Sequence, residues 1–287
     1  AQEIRYGFFG KINVAIIEAC EVTEKGEIVP TTAVGIMPTI CRLADIVIVE
    51  LNKQVPSKLR GIHDIYELQD PPKRREIPIF EVQARVGLDY VKVNPEKIFV
   101  VETDKDGEGH GFAPVDEVTQ QIGNNVAEFF VSEMKVGRIP AHFLPIQSGV
   151  GNIANAVLAS MGSNPDIPRF EVYTEVIQDA VLDMMQKGYI SFASGCSLTV
   201  SNDVLHQFYK DLDFFKNKLV LRPSEISNCH RSGYIWQRQL HPCERHQDDE
   251  RDRRIGRFYP QFLSFGIPYA FHGQERSHQL YSTQGNP

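Results

Sequence analysis

The chain has 287 residues and a formal net charge of −7, which leaves room for two domains at about 150 residues each. That acidity speaks against a nucleic-acid or anionic-membrane binder. No apolar run approaches the ~20 residues of a membrane-spanning helix, and the opening residues AQEIRYGFFGK carry no signal-peptide pattern. They also lack a starting Met, so the chain reads as a fragment or a processed form. Cys20, Cys41, Cys196, Cys229 and Cys243 fit neither a zinc nor a disulfide spacing and are expected as reduced thiols of a cytoplasmic protein.

In chain order, Lys11–Ala19 contains VAII and predicts an extended segment, with a turn at Lys25-Gly26 and a second extended piece over Ile28–Gly35. Ala44–Leu51 is almost continuously apolar and β-branched, the pattern of a buried parallel strand. Gln69–Glu76 is a charged, proline-broken loop, and Lys97–Val101 is another strand. Thr103–Pro114 (TDKDGEGHGFAP) has the composition of a linker, and a domain boundary is placed there.

Asp116–Lys135 predicts a long helix with Ile122, Val126, Phe129, Phe130 and Met134 on its apolar side and Gly137 beyond its end. Phe143–Ile146 predicts a short strand, Ile153–Met161 a helix ended by Gly162, and Arg169–Tyr173 a strand. Val176–Gln186 predicts a third helix, with Ile177, Ala180, Val181 and Met184 on one face and Gly188 at its end. Strands alternating with helices imply an α/β fold with mainly parallel sheets and flanking helices.

Two motifs carry chemistry. The turn Gln147-Ser148-Gly149-Val150-Gly151-Asn152 lies between a strand and a helix, where glycines permit close backbone approach and the helix start offers N–H groups. Read alone, it serves equally as a tight strand–helix turn. Glu175 follows a strand and is expected in the first turn of the next helix, where it could simply complement the helix dipole. Both motifs follow strands, so both can face one crevice at the carboxyl ends of a sheet. Exposed amides plus one placed carboxylate suit acyl transfer, as an oxyanion site and a nucleophile. Other polar residues carry less. His63-Asp64 is expected to be a structural loop pair, His110 a solvated linker residue, and nothing local selects Arg42, Lys53 or Lys58 as phosphate contacts.

QSGVGNIANAV followed by YTEVIQD resembles the acetyl-CoA hydrolase/CoA-transferase family, and RYGFFGKINVAIIEA, GEIVPTTAVG, IVIVELN and LVLRPSEISN are similar to the same family, so the likeness runs from about Arg5 to Asn228. It implies a CoA-transferase-like α/β fold that is incomplete here, lacking the start of a first domain and much of a second. It implies that Glu175 is a covalent nucleophile passing through acyl-glutamyl anhydride and glutamyl-CoA thioester intermediates. The backbone of Gly149, Val150, Gly151 and Asn152 is then the oxyanion and CoA-binding turn. Coenzyme A enters as a substrate in the form of an acyl-CoA, alongside small carboxylates such as acetate or succinate, with no permanently bound cofactor and no metal. The family likeness also suggests a homodimer, and neither nucleic acid nor membrane is expected as a partner. Segments 1–112, 113–228 and 229–287 correspond to the C-terminal part of the first domain, the start of the second, catalytic domain, and a tail unlike the family. The rival class is a non-catalytic CoA- or nucleotide-binding α/β module.

From Cys229 onward lysine disappears and arginine and histidine accumulate, and Trp236 is the chain's single tryptophan. The run ERHQDDERDRRIGR could suggest a nucleic-acid arm, but its mixed charge fits a charged helix better. A third explanation accounts for more. One permitted codon string for Gly233–Pro242 (GYIWQRQLHP), read one base further on, gives DIYGNVNSTH, which resembles the family's own continuation. Later codons likewise permit a GGSGDF-type loop. The tail therefore reads as a frame-shifted translation with a deletion at the junction. The family's NVNSTH segment and second oxyanion glycine, which complete its site, would then be missing. Arg238, Arg245 and His246 are not counted as site residues, and this polypeptide is expected to be catalytically impaired.

Overall fold

The computed structural model describes residues 1–227 apart from 71, 108 and 110–114, together with the short strand Ser264–Phe265. A four-residue helix, α1 (Gln2–Arg5), precedes the first sheet. Strand β1 (Val14–Val22) turns at Gly26 into β2 (Glu27–Pro30), and α2 (Met37–Leu43) leads to β3 (Ile46–Asn52). After a long excursion come β4 (Val91–Lys92) and β5 (Ile98–Thr103). The sheet order is β4-β2-β1-β3-β5, parallel across β1, β3 and β5 and antiparallel at β2.

The expected parallel strand at Ala44–Leu51 is present as β3, but it is not buried on both faces. Val47 and Val49 are fully enclosed, while on the opposite face Ile16, Ile48 and Phe99 stand in one lateral row, with Ile16 at 70% and Phe99 at 57% exposure. The winding explains this. β1, β3 and β5 follow one another in one direction across the sheet, and the right-handed rule for parallel crossovers then carries both connections over the same face. Met37 and Cys41 of the first connection, and Val55, Leu59 and Ile62 of the second, all join the core on that side.

The second half begins with α3 (Glu117–Lys135), capped by Asp116, whose carboxylate accepts the Thr119 N–H at 2.8 Å while the Thr119 hydroxyl accepts the Asp116 N–H. Its buried face is Gly123, Ala127, Phe130 and Val131, and Phe129, expected inside, is exposed. The helix turns its small residues inward because α4 (Asn152–Ser163) lies close: a Cβ on Gly123 would meet the Ala156 carbonyl oxygen at 2.6 Å and Ser160 Oγ at 2.7 Å. Gly162, expected to end α4, lies within it and packs against Met184 and Tyr189.

The strand expected at Phe143–Ile146 is displaced to β6 (Gln147–Ser148). Phe143 has φ +58°, outside strand geometry, and Ile146 makes only an isolated parallel bridge to Val172. Then follow β7 (Phe170–Tyr173), β8 (Val176–Ile177), α5 (Asp179–Gln186), β9 (Ile190–Gly195), β10 (Ser197–Leu198), α6 (Asn202–Lys210), α7 (Leu212–Lys216), β11 (Leu219–Leu221) and α8 (Ser224–Ser227). The helix expected over Val176–Gln186 is thus shorter. Its first two residues pair with β10 instead, because Val176 and Ile177 find parallel partners in Ser197 and Leu198.

The strands β11-β9-β7 form an all-parallel sheet. His63 bridges Leu221 at one edge, and β12 (Ser264–Phe265) pairs with β6 beyond the other. One hydrophobic core spans both halves, and a smaller cluster of Leu68, Ile77, Ile79 and Val82 covers Tyr173 and Ile226. The expected α/β architecture with mainly parallel sheets is what the chain adopts. His110, Pro114 and, apart from Ser264–Phe265, the tail beyond Ser227, including Cys229, Cys243, Trp236, Arg238, Arg245 and His246, fall outside the described residues. Among the described residues no helix is long and apolar enough to cross a membrane.

Candidate active site

The turn of Gly149–Asn152 follows β6, Glu175 follows β7, Cys196 follows β9 and Ser224 comes three residues after β11. Four separate stretches of sequence therefore reach the same end of a parallel sheet, where α/β folds bind their ligands. Glu175 is not in the first turn of α5, as the sequence suggested. It occupies the bend between β7 and β8, and the helix begins only at Asp179. The dipole-complement reading of this carboxylate loses its basis with that displacement.

The residues that flank Glu175 tie it to the glycine turn. Thr174, fully buried, donates its hydroxyl to the Ser148 carbonyl at 2.9 Å. Gln178, also fully buried, donates Nε2–H to the Gly149 carbonyl at 2.7 Å and accepts the Gly151 N–H on Oε1 at 3.0 Å. One amide side chain thus grips the turn on both sides of Val150. Gly151 has φ +117° and ψ −178°, a conformation open essentially to glycine alone. With Gly149 and Gly151 held, Val150 projects at 59% exposure, and its N–H makes no hydrogen bond among the described residues. The N–H groups in the first turn of α4, beginning at Asn152, add the positive end of a 12-residue helix.

Glu175 is fixed through both its backbone and its side chain. Its carbonyl accepts from Cys196 N–H at 2.7 Å and Ser197 N–H at 3.3 Å, and its Oε1 accepts the Ser224 hydroxyl at 3.0 Å. Cys196 is the neighbouring thiol. Burial pushes its pKa up to about 11; a hydrogen bond from Gly35 N–H opposes this, the Glu175 charge adds to it, and Ser224 opposes it. The thiol is therefore protonated at neutral pH. Gly35 belongs to the first half of the chain. That half reaches the site through Val34 N–H to the Cys196 carbonyl at 3.0 Å and Ser224 N–H to the Gly35 carbonyl at 2.8 Å.

Sequence reading identified Glu175, Gly149, Val150, Gly151 and Asn152, and the structure brings them to one edge. It missed Thr174, Gln178 and Ser224. No sequence signal singled out Gln178, because TEVIQDAV mixes polar and apolar residues equally and the burial of Gln178 is set by the fold. The loop pair at 63–64 is structural, as expected. His63 donates Nε2–H to the Thr31 carbonyl at 2.9 Å, and Asp64 accepts Val86 and Gly87 N–H groups while pairing with the fully buried Arg222. Arg42 pairs with Glu67 and Lys53 with Glu102, and Lys58 is exposed. Among the described residues no group of three His, Cys, Asp or Glu side chains could hold a metal.

Residues 1–102 match the acetyl-CoA hydrolase/transferase N-terminal domain. The family resemblance read from the sequence is borne out. The chain is 45% identical over 229 residues to a propanoyl-CoA:succinate CoA transferase of Escherichia coli, covering 79% of this chain and 46% of the relative. It is 43% identical over 229 residues to the succinyl-CoA:acetate CoA-transferase of Clostridium kluyveri, covering 79% and 42%. An acetyl-CoA hydrolase of Schizosaccharomyces pombe is 39% identical over 234 residues, covering 79% and 44%. The chain thus spans less than half the length of these relatives, which are enzymes by name. In fold it is similar to a 4-hydroxybutyrate CoA-transferase from Porphyromonas gingivalis, with TM-score 0.53 and 20% identity over 79% of this chain and 48% of that one. RipA from Yersinia pestis gives TM-score 0.53 at 14% identity, covering 79% and 44%.

Proposed function

We propose that this chain carries the nucleophile-bearing part of an acyl-CoA:carboxylate CoA-transferase, with Glu175 as the nucleophile and the Val150 N–H as an oxyanion donor. The observation that carries this reading is the double grip of Gln178 on Gly149 and Gly151, three residues from Glu175. It ties the carboxylate's strand to an amide-bearing turn.

The reaction divides into exchanges at carbonyl carbon. A Glu175 carboxylate oxygen attacks the thioester carbon of an acyl-CoA, the C–S bond breaks, and an acyl-glutamyl anhydride and CoA thiolate result. The thiolate then attacks the glutamyl carbonyl, which gives a glutamyl-CoA thioester and releases the first carboxylate. An incoming carboxylate such as acetate or succinate reverses both steps. Water attacking the thioester instead yields hydrolysis. Each tetrahedral intermediate places negative charge on oxygen, where a fixed amide donor contributes about 3 kcal/mol. Coenzyme A is a substrate throughout, and this chemistry calls for no resident cofactor or metal.

We infer the same division of the chain as above: 1–112 from a first domain, 113–228 from the start of a catalytic domain, and 229–287 as a frame-shifted tail. The fifth of the chain outside the curated matches agrees in size with that tail. Turnover by this polypeptide is accordingly slow, and a cytoplasmic homodimer without nucleic-acid or membrane partners is the form we assign to the intact protein. Resequencing the DNA across codons 220–287 tests the tail: reads that restore DIYGNVNSTH in frame support a shifted frame, and the absence of any overlapping string encoding it contradicts one.

The functional test is to mix the chain with succinyl-CoA, quench, digest and weigh the peptide that contains Glu175. A CoA adduct on Glu175 that disappears in Glu175→Gln is expected. An adduct that survives the substitution contradicts the assignment, and CoA bound with no adduct moves the reading to a non-catalytic module.

A further inference from the structure

Ser224 lies on a segment anchored by hydrogen bonds on both sides. Arg222 N–H donates to the Gly195 carbonyl at 2.8 Å, and its guanidinium, fully buried, donates to Ser194 Oγ at 2.9 Å, to the Val82 and Ala84 carbonyls and to Asp64. Arg5 holds Glu225 with two hydrogen bonds of 2.6 and 3.1 Å, and the Tyr173 hydroxyl donates to the Ile226 carbonyl at 2.6 Å. Between these anchors Ser224 N–H reaches the Gly35 carbonyl at 2.8 Å, and its hydroxyl reaches Glu175 Oε1 at 3.0 Å.

We propose that Ser224 is a positioning residue for Glu175. Its backbone N–H is held by the Gly35 carbonyl of the first half, two residues beyond the anchored Arg222, and its hydroxyl restrains the rotation of the carboxylate. This rests on the reading of Glu175 as the nucleophile. A glutamate side chain has three rotatable bonds, and a short loop alone leaves the last of them broad. A donor at one carboxylate oxygen narrows that torsion before the acyl-CoA arrives, so less ordering remains for the transition state. Ser224 keeps its proton throughout; it neither attacks nor titrates. The same hydroxyl neighbours the Cys196 thiol, so the small cluster of Glu175, Cys196 and Ser224 is satisfied by polar contacts from two distant parts of the chain.

The test is the initial rate of CoA-adduct formation on Glu175 from succinyl-CoA, measured beside the equilibrium affinity for CoA. In Ser224→Ala the rate should fall about tenfold or more while affinity stays unchanged. Ser224→Thr, which keeps the hydroxyl, should restore the rate to within about threefold of the parent chain. A rate in Ser224→Ala equal to that of the parent overturns the positioning role and leaves the nucleophile assignment standing. A parent chain that forms no adduct overturns the nucleophile assignment, and this proposal falls with it. Where Ser224→Ala does not fold, Ser224→Cys, with its weaker donor, carries the test: a slowed rate supports the role and an unchanged one overturns it.

Discussion

The sheet β1-β3-β5 and the sheet β7-β9-β11 are wound in the same way but end up buried differently. In each, successive parallel strands advance in one direction, and the right-handed rule for parallel crossovers then places the connections on one face. In the second sheet the other face is closed by Leu68, Ile77, Ile79 and Val82, borrowed from the first half, which pack over Tyr173 and Ile226. In the first sheet Ile16 and Phe99 stay exposed. A parallel sheet needs cover on both sides. The enclosed sheet is the one whose strand ends hold Glu175 and the glycine turn, so the long segment between β3 and β5 does more than connect strands: it covers the sheet that carries the candidate site.

The two halves are joined most tightly at Arg222, which pairs with Asp64. Replacing it with Met leaves Asp64 buried and uncompensated and should cost about 3–5 kcal/mol in chemical denaturation. The double variant with Asp64→Asn should recover part of the loss, and an additive double variant would mean that the pair is not coupled.

His63 tests the same seam through pH. Burial pushes its imidazole down to about 4 from 6.5, with the hydrogen bond to the Thr31 carbonyl opposing in part. The folded state therefore holds fewer protons than the unfolded one between those values. The contribution is fully present above pH 6.5 and is lost as pH falls toward 4, by about 3 kcal/mol in total. Denaturation midpoints of the parent chain against His63→Gln between pH 7 and 4 check this. Parallel pH profiles would exclude His63 as the source.

Cover and open face can then be compared directly. Ile79→Val, beneath the sealing segment, should destabilise by about 1 kcal/mol. Phe99→Lys, on the open face, should change stability by less than about 0.5 kcal/mol while reducing self-association in sedimentation. A large loss from Phe99→Lys would show that the open face is covered in solution.

Much of this was legible in advance because it is local. β-Branched runs announced β1, β3 and β5, and the 3–4 spacing and Asp116 announced α3. The lost parts depend on partners far away in sequence. Val176 and Ile177 look helical until Ser197 and Leu198 supply strand partners, and α2 is too short, with Pro38 near its start, to show a period. Phe129 was misplaced because apolar spacing cannot sense that Gly123 lies against Ala156. Glu175 and the turn stood out as motifs, whereas Thr174, Gln178 and Ser224 gained meaning only when their hydrogen bonds crossed 26, 27, 29 and 49 residues of chain.

As the proposed nucleophile, Glu175 must exchange oxygen with the carboxylate substrate. In a single-turnover reaction with succinyl-CoA and acetate labelled with heavy oxygen, one acetate oxygen becomes the anhydride bridge and stays on Glu175 when CoA departs with the acetyl group. That label is expected on the Glu175 carboxylate, with none on residue 175 in Glu175→Gln. Acetyl-CoA formed with no label on Glu175 would contradict the nucleophile assignment.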